Sequence, residues 1–234
     1  MSDKTKIILI YTSVAVVSSL LIFGFVTLRQ LEDMKAEAER PLAVNIGKDT
    51  IDEFHQLQNN ITLTNQLGEE VSVFDLKDKV WVFAQFFAKC PMCAERNYTD
   101  LLSIYKQYKD HPDFMLVCMT IDPETDDVVK LQEYAEVVKA DPRNWWFLTG
   151  EKEALHHYMR HEIRYMDVRE RTVPEEIATM GRYAHDLGIA VFDKGLKMRI
   201  KRDLAFGRSQ NDELAAKFEE ELHSAIQTAL KGGK

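Results

Sequence analysis

Cysteine is scarce in this sequence: three residues in 234. That is too few for a disulfide-built scaffold, and the odd number leaves at least one thiol free or devoted to chemistry. Basic charge is also short. Thirty Lys and Arg stand against 38 Asp and Glu, a formal net charge of −8, which argues against a nucleic-acid footprint. Only six prolines and ten glycines occur, without period, so collagen-like and low-complexity classes are excluded. No internal repeat is visible.

Charge itself is missing from one long stretch. Ile7 to Leu28, "IILIYTSVAVVSSLLIFGFVTL", has 22 residues and none is ionisable as an acid or base near neutrality. At about 1.5 Å per residue such a helix reaches ~33 Å, enough for a hydrocarbon core of roughly 30 Å. The run exceeds a cleavable signal's apolar region and lacks a small-x-small cleavage site, so an uncleaved signal anchor is expected. Lys4 and Lys6 on the short tail favour a cytoplasmic N-terminus. The C-terminal part is then expected in a bacterial periplasm, anchored in the inner membrane. A mitochondrial inner membrane is the alternative, but an Arg- and Ser-rich transit peptide is not visible. The expected organisation is a tail over 1–6, the span over 7–28, a stalk and linker over 29–58, and one globular domain over 59–234.

Within the domain, apolar runs alternate with helical periodicity. "NITLTNQLGEEVSVFDL" predicts a hairpin around Leu67-Gly68, and "KVWVFAQFF", Lys79 to Phe87, reads as a strand buried on both faces. "AERNYTDLLSIYKQYKD" spaces Leu101, Ile104, Tyr105 and Tyr108 as a helix. A second buried strand, "FMLVCMTID", leads to "DPETDDVVKLQEYAEVVKA", expected to be a helix opened by Asp122 and Pro123. "WWFLTG" is strand-like and "EKEALHHYMRHEI" helical. A polar insertion from Tyr165 to Tyr183 precedes a hairpin turning at Asp193-Lys194-Gly195 and a terminal amphipathic helix. The order predicts an α/β, thioredoxin-like sandwich with a central mixed sheet, an N-terminal β-hairpin addition and one preceding transmembrane helix.

Cys90 and Cys93 follow the first buried strand directly, spaced C-x-x-C around Pro91. A cysteine at a helix N-terminus meets unpaired N–H groups and partial positive charge, which stabilise a thiolate. Two such thiolates serve dithiol–disulfide exchange or bind one soft metal ion. Cys118, inside the strand "MLVCMTI", reads as a small buried hydrophobe. Thioredoxin-type reductases present a cis-proline before the final hairpin. Here no proline follows Pro174, and "YAHD" puts His185 at that place, where an imidazole would complete a Cys₂His site. His157 and His161 lie four apart in "HHYMRHEI", beside His156, and share one helical face. Without a third ligand at recognisable spacing they read as a solvated face.

Three segments together resemble the Sco (SenC) family of membrane-anchored copper chaperones for cytochrome c oxidase assembly. They are "ITLTNQLGEEVSVFDLKDKVWVFAQFFAKCPMC", "TIDPETDDVVKLQEYAEVVKADPRNWWFLTG" and "YAHDLGIAVFDKGLKMR". The resemblance covers roughly Ile61 to Leu230 and the N-terminal anchor. It implies copper as the cofactor, Cys90, Cys93 and His185 as its ligands, and a respiratory oxidase subunit or other copper-site protein as partner. The family usually separates its cysteines by three residues, with a proline after the second. This chain has two between them and Ala94 after, the spacing of dithiol oxidoreductases. A membrane-anchored thiol–disulfide reductase, with Cys90 as nucleophile and Cys93 as resolving thiol, is therefore the alternative function. A peroxidase is weaker, because Ala88 and Lys89 precede Cys90 where a peroxiredoxin has its threonine pattern.

Overall fold

The computed structural model describes Lys4 and residues 55–88, 98–180 and 182–232. The rest of the expected tail, nearly all of the stalk, the span Ile7–Leu28, and both Cys90 and Cys93 lie outside the described residues. Among the described residues no helix is long and apolar enough to cross a membrane.

Five strands form the central sheet: β3 (Val80–Phe86), β4 (Phe114–Thr120), β5 (Trp145–Leu148), β8 (Ile189–Phe192) and β9 (Met198–Arg202). Their spatial order is β5-β4-β3-β8-β9. β3 and β4, and β4 and β5, pair in parallel, whereas β8 runs antiparallel to both β3 and β9. This is the expected mixed sheet. The short antiparallel pair β1 (Thr62–Thr64) and β2 (Glu70–Ser72) precedes it. Its turn uses Gly68 at φ 79°, a left-handed conformation that costs glycine little. A capped 3₁₀ turn, Val73–Leu76, then feeds β3.

Helices cover both faces: α1 (Tyr98–Tyr108), α2 (Val128–Val138), α3 (Lys152–His161), α5 (Leu204–Gln210) and α6 (Asp212–Leu230). Helix α4 (Pro174–Met180) lies in the insertion, flanked by the two-stranded pair β6 (Arg169–Glu170) and β7 (Tyr183–Ala184). The described part of the polar segment thus carries a short antiparallel pair, Arg169 with Ala184 and Glu170 with Tyr183. The chain also meets the domain before Asn59. Leu57 is buried, and its N–H donates to the Leu196 carbonyl at 3.0 Å.

Strand β3 explains the two-sided core. Successive side chains of a strand point to opposite faces, and all seven residues of β3 are buried. Val80, Val82, Ala84 and Phe86 join a cluster with Leu101, Ile104, Leu131, Trp145, Leu222 and Ile226. Trp81 and Phe83 join the opposite cluster, with Leu63, Leu76, Leu155, Met159, Tyr165 and Phe192. Trp81 stacks on Phe192 across the β3–β8 pair, ring centroids 4.0 Å apart at 10°. Cys118 is buried in the first cluster, as its strand context predicts, and burial pushes its thiol up to about 12.

Helix α2 begins later than expected. Its N-cap is Asp127, whose side chain accepts from Lys130 N, not Asp122. Asp122 to Asp126 instead form a turn in which the amides of Thr125 and Asp126 donate to the Asp122 carbonyl. Asp122 is held there because its own N–H donates to Thr120 Oγ1 at 3.0 Å.

Phe83→Ala empties the centre of the second cluster and is expected to destabilise the protein by about 3–5 kcal/mol in urea unfolding followed by circular dichroism. Val137→Ala, at a position 79% exposed, is expected to stay within about 0.5 kcal/mol of the parent. Equal effects from the two substitutions would contradict this core.

Candidate functional site

In α/β sheets, ligands gather beyond the carboxyl ends of parallel strands. Strand β3 ends at Phe86 and leads through Phe87 and Ala88 toward Cys90. Two neighbouring elements meet it at this edge. The first is the turn after β4. Asp126 is fully buried there, and its Oδ2 accepts from Ala88 N at 3.1 Å and from Thr120 Oγ1 at 2.6 Å. The chain two residues before Cys90 is thus tied to a carboxylate from the next strand's end.

The second is the segment entering β8, which carries His185. The antiparallel register pairs Ala84 with Ile189, so Gln85 onward and Gly188 backward run side by side. Gln85 Oε1 accepts from Asp186 N at 2.9 Å, while its Nε2 lies 3.6 Å from Met159 Sδ. Asp186 in turn organises the loop. Its Oδ1 accepts from Gly188 N at 2.8 Å, and its Oδ2 accepts from Met166 N at 3.2 Å and Lys201 Nζ at 2.8 Å. Gly188 is required for this fold-back: a Cβ there would stand 2.8 Å from Asp186 Oδ1 and 2.9 Å from Lys201 Cγ. Tyr165 reinforces the same point by donating to the Gly188 carbonyl at 3.0 Å.

The charges follow from this geometry. Burial alone would raise the Asp186 carboxyl, but the Lys201 ammonium and the amides of Gly188 and Met166 outweigh it and hold the group below its usual range. Burial pushes the His185 imidazole below its usual range, against the opposing pull of Asp186. His185 Nδ1 lies 2.9 Å from the Asp186 carbonyl oxygen. A carbonyl only accepts, so Nδ1 carries a proton. A neutral imidazole with its tautomer fixed by a backbone carbonyl is the form in which histidine ligates metals.

The structure therefore brings His185 to the strand end that leads into Cys90 and Cys93. The two cysteines themselves lie outside the described residues. Phe87 and Tyr183, whose rings meet edge-on at 6.0 Å, join the same two segments on the other side. Two further carboxylates belong to this end of the sheet. Asp122 and Asp126, read from sequence as part of a helix start, are both buried, and Asp122 Oδ1 has no hydrogen-bond partner among the described residues. Gln85 had a readable signal, as the single polar residue in "VWVFAQFF".

Gln85→Leu removes the acceptor of a buried amide, and an unsatisfied buried donor costs roughly 1–3 kcal/mol. The variant is expected to lose that much stability in chemical denaturation and to show faster hydrogen exchange at the Asp186 amide. Gln85→Glu keeps an acceptor and is expected to retain slow exchange. Slow exchange in the leucine variant would show that the amide is held by something else.

The SCO1/SenC family model matches residues 49–222. The SCO1 protein homolog of Bacillus subtilis (strain 168) is 30% identical over 90 residues, covering 38% of this chain and 47% of the relative. The chain thus aligns with about half the length of that curated relative. Among solved structures, BsSco, described as a member of the Sco family of cytochrome c oxidase assembly proteins with a disulfide switch, superposes with a TM-score of 0.54 at 20% identity. That match covers 77% of this chain and 96% of BsSco. Arabidopsis thaliana ScoI, solved with copper bound, gives 0.52 at 18% identity, covering 72% and 99% of the two chains.

Proposed function

Because the chain belongs to the SCO1/SenC family, we propose that it binds one copper ion through Cys90, Cys93 and His185 and delivers it to the copper site of a respiratory oxidase subunit. The observation that carries this reading is the Asp186 N–Gln85 Oε1 hydrogen bond, which holds the histidine loop against the strand that runs into the cysteine pair. Copper bound to related proteins, in ScoI of Arabidopsis thaliana among others, supports the choice of metal.

The donor set suits the cargo. Thiolate sulfur is soft and prefers Cu(I), while imidazole accepts either copper state. Burial holds the His185 ring below its usual range, which favours the unprotonated form that ligates. Transfer is then an exchange of ligands: a partner's cysteine or histidine enters as one ligand of this chain leaves, with no net redox change. Anchoring through Ile7–Leu28 in a bacterial inner membrane, domain outward, would present the site to a membrane-bound oxidase on that side.

The C-x-x-C spacing favours a second reading. In it, the Cys90 thiolate attacks a partner's disulfide and Cys93 displaces the reduced partner, leaving a Cys90–Cys93 disulfide that an external dithiol reduces. Such a reductase would also prepare an oxidase subunit's cysteines for metal.

Reduced protein loaded anaerobically with Cu(I) and desalted is expected to retain about one copper per chain, with affinity falling at least ~10-fold in His185→Ala, since even outer-sphere partners of a metal site are worth that much. X-ray absorption should show two sulfurs and one nitrogen around the metal in the parent. Absence of copper together with rapid reduction of a model disulfide would replace the copper reading with the reductase one.

A further inference from the structure

The pair His157 and His161 is not used by the site above. Both lie on α3, in its last two turns, and both side chains are solvent-exposed. The opposite face of the helix is fixed in the core by Leu155, Tyr158 and Met159, so the backbone beneath the pair is rigid. Four-residue spacing sets the two rings one turn apart, and their centroids stand 4.4 Å from each other at 39°. The third histidine of the run is committed elsewhere: His156 Nε2 lies 2.8 Å from the Ile121 carbonyl. Arg160, between the pair in sequence, is ion-paired with Asp167, which offsets a cation that would otherwise oppose a bound metal.

Two exposed imidazoles, one helical turn apart on a backbone that is already ordered, form a bidentate chelate with little entropy left to lose. Late divalent metals favour nitrogen donors, and among them Cu(II) binds imidazole tightest, ahead of Ni(II) and Zn(II). Among the described residues no third His, Cys, Asp or Glu converges on the pair. The remaining coordination positions would therefore be held by water.

We propose that His157 and His161 form a second metal site, a surface bis-imidazole chelate for a divalent late transition metal with Cu(II) preferred. It differs in kind from the thiol site. Hard, water-filled coordination suits Cu(II) in exchange with solvent, where soft thiolates suit Cu(I).

The test uses the full chain in mild detergent, carrying Cys90→Ser, Cys93→Ser and His185→Ala so that the thiol site is removed. Cu(II) alone is titrated, followed by electron paramagnetic resonance and by calorimetry. One Cu(II) per chain is expected, with superhyperfine splitting from two equivalent nitrogens. Because outer-sphere changes alone cost about 10–100-fold in metal affinity, removing either ligand, as His157→Ala or His161→Ala, should weaken binding at least about tenfold. Ni(II) and Zn(II) should bind more weakly in that order. No Cu(II) binding in the background variant overturns the site. So does binding that survives both alanine substitutions, or a spectrum with a single nitrogen. Circular dichroism of the alanine variants, expected to match the parent, separates loss of a ligand from loss of the helix. Failure here leaves the thiol site untouched, since that site is read in the chain retaining Cys90, Cys93 and His185.

Discussion

One amide side chain governs the arrangement. Gln85 sits on a strand with both faces buried, where an uncompensated polar group would cost several kcal/mol. Its carbonyl is satisfied by the Asp186 backbone, a hundred residues away in sequence. The cost of burying the glutamine and the need to hold the histidine loop are thus met by the same bond. Asp186 extends the constraint outward, because its carboxylate gathers Met166, Gly188 and Lys201 around the point where Gln85 grips the chain.

The mixed sheet supplies the rest of the geometry. Parallel pairing of β3 with β4 delivers two strand ends to one edge, and there Asp126 ties Ala88 to the β4 turn. Antiparallel β8 reaches the same edge from the opposite direction, so its entry, not its exit, faces the other two. The chain leaving β3 and the chain entering β8 share one edge because these two strands pair antiparallel.

Much of this was legible from residue pattern. The apolar runs "KVWVFAQFF" and "FMLVCMTI" announced strands buried on both faces, and β3 and β4 are so. The turn residues at Gly68 and Gly195 marked the hairpins, and Cys118 was readable as core. Three features were not. Asp122-Pro123 carries a helix-start pattern that Asp127 outcompetes, because the Thr120 hydroxyl captures the Asp122 amide first. The insertion from Tyr165 to Tyr183 is too polar for periodicity to reveal, since its two-residue strands bury little. The role of Asp186 depends on Met166 and Lys201, and no local pattern ties three positions so far apart.

The order of synthesis gives the β3–β8 register a temporal meaning. His185 follows Cys90 by 95 residues. At about 5–20 residues per second, the thiols emerge from the ribosome roughly 5–20 s before the histidine exists. The loop that carries His185 reaches the end of β3 only after β8 has laid itself against that strand, a non-local pairing of the slow kind. Throughout that interval the pair is a bare dithiol, with the reactivity of any exposed C-x-x-C. The nascent chain is thus first a substrate for oxidants and stray soft metals, and the histidine loop is fixed in place only with the last part of the sheet.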